Sequence, residues 1–278
     1  MKVSAVVPVY NSVNTLERAI NSLLIQPEIN QIFIVDDGSN DGSYPLELEL
    51  ESKNPIIKVL SHPDRINKGA SASRNLGLFH CSNEWVQFLD ADDELLSNKI
   101  FNQLVYADSN VGCIVSPYFY IKEGKSYLHD FFLNDVWVSL LLTRLGRTSS
   151  MIFNTRILKI VKWRENLANV QEYYLLLDLI SNGFLISTCD NCSTNIYFYK
   201  FSISSTLNEE KRINMILFRS DVKKYLQKSN NYTLKYFYYF NVSAGKVYKN
   251  FKPSISVSYV HLIYILHRLI NKYLLKLE

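Results

Sequence analysis

Short β-branched and aromatic runs alternate with amphipathic stretches through roughly the first 115 residues of the chain. Lys2 to Tyr10, KVSAVVPVY, reads as a strand with its tip at Val9 and Tyr10. Leu16, Ala19, Ile20, Leu23 and Leu24 then share one face of a helix, for which Asn14 is the expected N-cap, Glu17 the capping-box partner and Pro27 the stop. Gln31 to Val35 (QIFIV) and Ile56 to Leu60 (IIKVL) are further strands, and the LELELE alternation between them is the one low-complexity tract. Ala70 to Cys81 places small residues before Leu76, Leu78 and Phe79, which predicts a helix packed closely on a sheet despite Gly77. Trp85 to Leu89 is a mostly apolar run between polar Asn83-Glu84 and a group of acids, the pattern of a strand buried in a parallel sheet. Ser97 is the expected cap of a helix with Ile100, Phe101, Leu104 and Val105 inward, and Val111 to Val115 is another strand. From Tyr118 to Thr148 the pattern weakens, with VWVSLLLTRL helix-like within it. Strands alternating with helices predict an α/β fold with a mostly parallel, doubly wound sheet. Its opening βαβ unit is right-handed and sets Tyr10 beside Asp36 and Asp37 at neighbouring strand tips.

Composition changes this picture at one place. The chain of 278 residues carries a net charge of +4, yet residues 211–278 hold 13 Lys and Arg against two acids, Asp221 and Glu278. The first 210 residues are therefore acidic, at −7, and the shift after about Thr206 marks a boundary. No apolar run approaches the roughly 20 residues that span a bilayer. Met1-Lys2 leads straight into the first strand with no cleavage-site pattern, so a cytosolic protein is expected. Four scattered cysteines fit reduced thiols, and Cys189-Asp-Asn-Cys192 is a lone CxxC without the second pair that zinc would need.

The candidate chemistry lies in the acids that follow the strands. Asp36-Asp37 end the second, and Asp90, Asp92 and Asp93 end the strand from Trp85, at the carboxyl edge where open α/β sheets bind ligands. Carboxylates this close repel one another, and a hard divalent cation completed by substrate phosphates relieves the repulsion. PVYNSVNT replaces the GxGxxG of a dinucleotide site after the first strand. A receiver domain would be far shorter, and a haloacid-dehalogenase site would place its acids after the first strand.

Taken in order, PVYNS, VDDGSNDGS, NKGASASRNLGL and FLDADDE resemble the family 2 glycosyltransferases of the GT-A fold, and VQEYYLLLDLISNG extends the resemblance to about residue 205. The resemblance implies a GT-A catalytic domain over residues 1–206, with a nucleotide-binding half (1–117) and an acceptor half (118–206). A basic, aromatic-rich helical extension follows over 207–278. It implies a nucleotide-sugar donor held by Pro8, Tyr10, Asp36, Asp37, Lys68, Arg74, Asn75, Asp90 and Ala91. Within this set Tyr10 stacks on the base, and Asp37 accepts from a base N–H, which makes uridine the first expectation. Asp92 is the implied ligand of Mg²⁺ or Mn²⁺, and Glu172, eleven residues before Gly183, the implied general base of an inverting transfer.

Two departures stand out. IYFYKFSISS offers Tyr197, Tyr199 and Lys200 where many relatives carry a His that completes the metal site, and the QxxRW signature of processive synthases is absent. Single-sugar transfer to a saccharide or lipid-linked saccharide acceptor is the resulting expectation. Val260, Ile263, Tyr264, His267, Ile270, Leu274 and Leu277 share a helical face beside Arg268, Lys272 and Lys276. That face either packs on the catalytic domain or lies on an anionic membrane surface at the cytosolic leaflet. No nucleic-acid-binding module accompanies the basic tail, so no nucleic-acid partner is expected. A catalytically silent nucleotide-sugar-binding scaffold and a nucleotidyltransferase are the alternatives; the second would need a Gly- and Arg-rich loop after the first strand.

Overall fold

A computed structural model describes residues 1–129, 135–198 and 209–248. They fall into two units, one holding 1–129, 146–167 and 174–198, the other 135–145, 168–173 and 209–248. The change of composition near residue 206 is thus not the whole boundary, because two earlier segments belong with the later helices.

The first unit is built on a seven-stranded sheet. In chain order it contains β1 (Val3–Val9), α1 (Leu16–Leu24), β2 (Ile29–Asp36), α2 (Ser43–Lys53), β3 (Ile57–Ser61), α3 (Ala70–His80), β4 (Trp85–Phe88), β5 (Glu94–Leu95), α4 (Lys99–Leu104) and β6 (Val111–Val115). β7 (Tyr118–Lys122) and β8 (Lys125–His129) form a hairpin. The helix α5 (Val136–Leu142) belongs to the other unit. β9 (Met151–Asn154) and α6 (Thr155–Val161) return to the first. The sheet order is β10-β6-β9-β4-β1-β2-β3, with β10 at Leu185–Thr188. Every pairing is parallel except the two made by β9, which runs antiparallel between β4 and β6. A smaller sheet of order β5-β11-β7-β8 includes β11 (Thr194–Tyr197).

The runs that predicted β1, β2, β4 and β6 are buried almost throughout, as strands covered on both faces require. Alternation along β1 divides the core. Val3, Ala5, Val7 and Val9 join Leu16, Ala19, Ile20 and Leu23 of α1 in one cluster. Val6 points the other way, toward α3, where a Cβ on Gly77 would lie 2.3 Å from its Cγ1. The glycine is what lets helix and sheet approach, and the small residues of ASAS extend that contact.

The structure corrects three expectations of local sequence. Thr15, not Asn14, precedes α1, and no side-chain cap is made. That end is instead held from the loop before α2: the Val13 N–H donates to Asp41 Oδ2 (3.1 Å) and the Ser12 N–H to Ser43 Oγ (2.8 Å). Ser97 does not cap α4; Asn98 stands there with a left-handed backbone. α4 also turns Phe101 and Val105 outward, at 58% and 68% exposure, and buries Lys99 with Ile100 and Leu104. The LELELE tract, for which no element was expected, is α2: Leu and Glu are strong helix formers, and two-residue alternation sends Leu48 to the surface and Glu47 to the interior.

In the second unit, α5 packs with α8 (Glu209–Lys228) and α9 (Leu234–Tyr248). The Asp135 carboxylate caps α5 by accepting from the Trp137 and Val138 N–H groups, and Lys235 pairs with its other oxygen at 2.6 Å. Arg219, buried on α8, donates to Ser243 Oγ on α9, which donates to the Leu141 carbonyl. Burial lowers the Arg219 pKa to about 10. α7 (Gln171–Ser181) begins in this unit and ends in the first. No helix among the described residues is long and apolar enough to cross a membrane. The amphipathic face expected from Val260 to Leu277 lies outside the described residues, as do Tyr199 and Lys200.

Candidate active site

Parallel register brings the carboxyl ends of β1, β2 and β4 to one edge, with β1 in the middle. Hydrogen bonds between the loops fix that edge. The Asp37 N–H donates to the Val9 carbonyl (2.8 Å), the Asn11 N–H to Ser39 Oγ (3.0 Å), and the Asn40 N–H to Asn11 Oδ1 (2.8 Å). Pro8 is half-buried below this junction, and the Tyr10 ring is 44% exposed.

Asp36 and Asp37 are both buried but serve different loops. Asp36 accepts from the Gly38 and Ser39 N–H groups and forms an ion pair with Arg65 at 3.0 Å. Gly38 sits at φ +82 with the Arg65 carbonyl 2.5 Å from where a Cβ would be, so only glycine fits this turn. Asp37 accepts from the Lys68 N–H at Oδ1 (2.7 Å) and the Gly69 N–H at Oδ2 (2.9 Å), bringing the start of α3 to the β2 tip. The Lys68 side chain is exposed.

After β4 the acids separate into three roles. Asp90 receives Arg74 at 2.6 Å, and the buried guanidinium lies 4.7 Å over the Trp163 ring. Asp93 is buried: Ser149 Oγ donates to its Oδ2 (2.5 Å) and the Tyr197 N–H to its Oδ1 (3.2 Å). Burial, with Asp90 and Asp92 beside it, raises the Asp93 pKa well above the carboxylate range. Ser149 Oγ also accepts the Asp90 N–H (3.2 Å), so one hydroxyl ties both ends of the acidic turn. Ala91 is buried within that turn. Asp92 is half-buried, and burial followed by the charge of Asp90 pushes its carboxyl up to about 6. Arg18 of α1 donates to the Asp92 carbonyl (2.5 Å) and lies 3.8 Å over the Tyr197 ring. The Tyr197 hydroxyl donates to Glu94 Oε2 (2.9 Å).

Three carboxylates around one ion is therefore not the arrangement, since Asp93 serves the fold. Among the described residues no group of three His, Cys, Asp or Glu side chains forms a ready-made cage. Asp92 alone suits the way Mg²⁺ and Mn²⁺ attach, through one or two carboxylates with substrate phosphates and water filling the other positions. Its raised pKa marks a carboxylate that a nearby cation would stabilise.

Asn75 is engaged elsewhere: its amide donates to the Trp163 carbonyl and Glu165 Oε1, and its oxygen accepts the Trp163 N–H at 3.0 Å. It braces the loop that carries the Trp163 ring. Glu172 lies in the second unit, half-buried in the first turn of α7, where the Tyr173 hydroxyl donates to the Thr143 carbonyl at 2.7 Å. Sequence reasoning missed Arg18, His62, Arg65 and Ser149. Arg65 carried a signal, a basic residue just before NKG that could answer VDDGS; the others depend on contacts between distant segments.

The sheet order, with one antiparallel strand inserted beside the acid-tipped one, is that of a GT-A fold. The chain superimposes on Staphylococcus aureus TarS residues 1–349 in complex with UDP-GlcNAc with a TM-score of 0.65 at 17% identity, covering 99% of this chain and 92% of that one. It superimposes on the mannosyltransferase PcManGT of Pyrobaculum calidifontis, in complex with GDP-Man and Mn²⁺, with a TM-score of 0.58 at 12% identity, covering 98% and 81%. The Glycosyl transferase family 2 model matches residues 4–165, more than half of the chain, and the chain belongs to that family. It is 36% identical over 149 residues to an uncharacterized glycosyltransferase of Rickettsia felis, a match covering 51% of this chain but 24% of the relative. Over 214 residues it is 26% identical to UDP-Glc:alpha-D-GlcNAc-diphosphoundecaprenol beta-1,3-glucosyltransferase WfgD of Escherichia coli, covering 73% of this chain and 78% of the relative.

Proposed function

We propose that this chain is an inverting, metal-dependent glycosyltransferase that moves one sugar from a UDP-sugar to a lipid-linked saccharide. The observation that carries the reading is the set of three neighbouring strand tips. They present an exposed Tyr10 ring, the Asp37 carboxylate and the Arg74–Asp90 pair on one edge, with Asp92 in the turn that follows. The UDP-linked donor and lipid-linked acceptor in the name of the Escherichia coli relative support the substrate class. The GDP-Man and Mn²⁺ bound by the Pyrobaculum enzyme support a metal.

In this reading Tyr10 stacks on uracil, Asp37 accepts its ring N–H, and Asp90, steadied by Arg74, holds the ribose. The Lys68 side chain and the positive end of the α3 dipole favour the diphosphate. Asp92 would hold Mg²⁺ or Mn²⁺, which would neutralise charge on the departing nucleoside diphosphate. Glu172 takes the proton from the acceptor hydroxyl as that oxygen attacks the anomeric carbon opposite the leaving group, which inverts the configuration. The enzyme works in the cytoplasm, where its basic tail meets the anionic inner leaflet.

The test is release of nucleotide from a panel of UDP- and GDP-sugars with Mn²⁺, for wild type and Asp92→Ala. Release from one UDP-sugar, lost on chelation and in the variant, is the expected result. Release indifferent to both metal and substitution would refute the assignment.

A further inference from the structure

One buried group near the nucleotide-binding edge has no part in the proposal above. His62, after β3, is buried with Ser73 of α3 and Asp37 just after β2. Its Nε2 lies 3.1 Å from Ser73 Oγ and 3.6 Å from Asp37 Oδ1. The partners assign the proton. Ser73 Oγ directs its own hydrogen to the Gly69 carbonyl (3.3 Å), leaving lone pairs toward the imidazole. A lone pair on Nε2 would also face the Asp37 carboxylate. An Nε2–H satisfies both relationships, donating to Ser73 and turning its positive end to Asp37.

The consequence falls on the carboxylate. The Lys68 and Gly69 N–H groups approach its two oxygens from the loop that leads into α3, and the imidazole lies near Oδ1 from the residue after β3. Two backbone donors and the polar edge of the imidazole surround a side chain that is only 5% exposed, so its remaining acceptor capacity has a fixed direction. A fixed acceptor distinguishes bases by what they present. Uracil offers a ring N–H at N3, whereas cytosine has a lone pair there.

Resting on the nucleotide reading, we propose that His62 is a positioning residue that makes the site selective for uracil by fixing the Asp37 carboxylate. It touches no substrate, and its influence passes through Asp37.

Calorimetric titration with UDP and CDP tests this on wild type, His62→Leu and His62→Gln, since the glutamine amide can place an N–H near the position of Nε2. Wild type is expected to prefer UDP. His62→Leu should weaken UDP about tenfold, near 1.4 kcal/mol for one oriented hydrogen bond, and leave CDP within about twofold. His62→Gln should recover most of the preference. Equal weakening of UDP and CDP would show a general loss of the pocket and overturn the proposal. So would no change in His62→Leu, or a wild type that binds both equally. If the leucine variant does not fold, His62→Asn, whose shorter amide cannot reach, must show the same selective loss. A wild type that prefers GDP to UDP would also overturn the assignment of uracil selectivity. Wild type with no affinity for UDP or GDP would instead fail the nucleotide reading itself.

Discussion

Asp92 and Asp93 are adjacent in the chain and differ in every physical respect that bears on function. The Asp93 carboxyl is enclosed between a serine hydroxyl and a backbone N–H, and asparagine can keep the same shape and still bond both. Asp92 keeps a half-exposed carboxyl. Asp93→Asn should therefore leave Tm within about 2 °C and Mn²⁺-dependent donor hydrolysis within about threefold. Asp92→Asn should lower that hydrolysis by about two orders of magnitude at unchanged Tm. Parallel assays of the two variants check this, and equal losses would mean that the acids act as one cluster. The sequence showed the acids and their place after a strand but could not sort them. Sorting depends on Ser149 and Tyr197, which come from segments more than fifty residues away in the chain. Glu47 was hidden for the opposite reason, as one Glu among several in a repeat. Neither of its carboxyl oxygens has a hydrogen-bond partner among the described residues, and burial, followed by the charge of Asp36, pushes its pKa up to about 8. A carboxyl raised on folding binds its proton more tightly in the folded state. Its contribution to stability is thus complete below the ordinary carboxyl range and is lost as pH climbs to about 8. Glu47→Gln should flatten that slope and raise Tm at pH 8.5 by roughly 5 °C, measured by thermal melts across pH 4 to 9.

At the scale of elements, the sequence was legible wherever burial on two sides imposed an unbroken apolar run. β1, β2, β4 and β6 are such runs, and α1 shows its inward face because only one side is covered. The antiparallel insertion of β9 was not legible, because strand direction leaves no mark on composition. Helix ends were not legible either, where loops from elsewhere replaced local caps. α3 lies between these cases: its small residues announced a close approach, and the structure shows how close. Gly77→Ala would gain about 1 kcal/mol in helix propensity. Against this stands a Cβ 2.3 Å from Val6 Cγ1 in a packed core, where overpacking costs about 1–3 kcal/mol. The net effect should be a lower Tm, and Val6→Ala should recover most of it in the double variant. A double-mutant cycle with no coupling would place the strain elsewhere.

For the molecule as a whole, the composition boundary near residue 206 suggests an appendage that could be removed, and the second unit argues otherwise. Its core takes α5 from the middle of the sequence: Val138, Leu140 and Leu141 are buried, and Trp137 stacks on Tyr225 of α8 with ring centroids 5.1 Å apart. Tyr173 packs on Phe218 with the rings tilted by 56° and their centroids 5.9 Å apart. The buried Arg219 guanidinium donates to Ser243 and to the Met215 carbonyl (2.6 Å). Cutting after Thr206 would remove α8 and α9 and leave the apolar face of α5 exposed. Burial of each such aliphatic side chain contributes about 1.5–3 kcal/mol, so the loss is comparable to the whole stability of an ordinary domain. The truncated chain should aggregate or melt at least about 10 °C lower than the full chain by calorimetry, and a soluble truncation with an unchanged Tm would show the later helices to be dispensable. A membrane role for the tail is therefore better tested by charge reversal in the intact protein. Arg268→Glu, Lys272→Glu and Lys276→Glu together change the charge by six. Each basic residue near an anionic surface contributes about 1 kcal/mol, so reversal should abolish flotation with anionic vesicles while leaving UDP affinity unchanged. Wild type that does not float would remove the membrane from the proposal and leave the glycosyl-transfer reading intact.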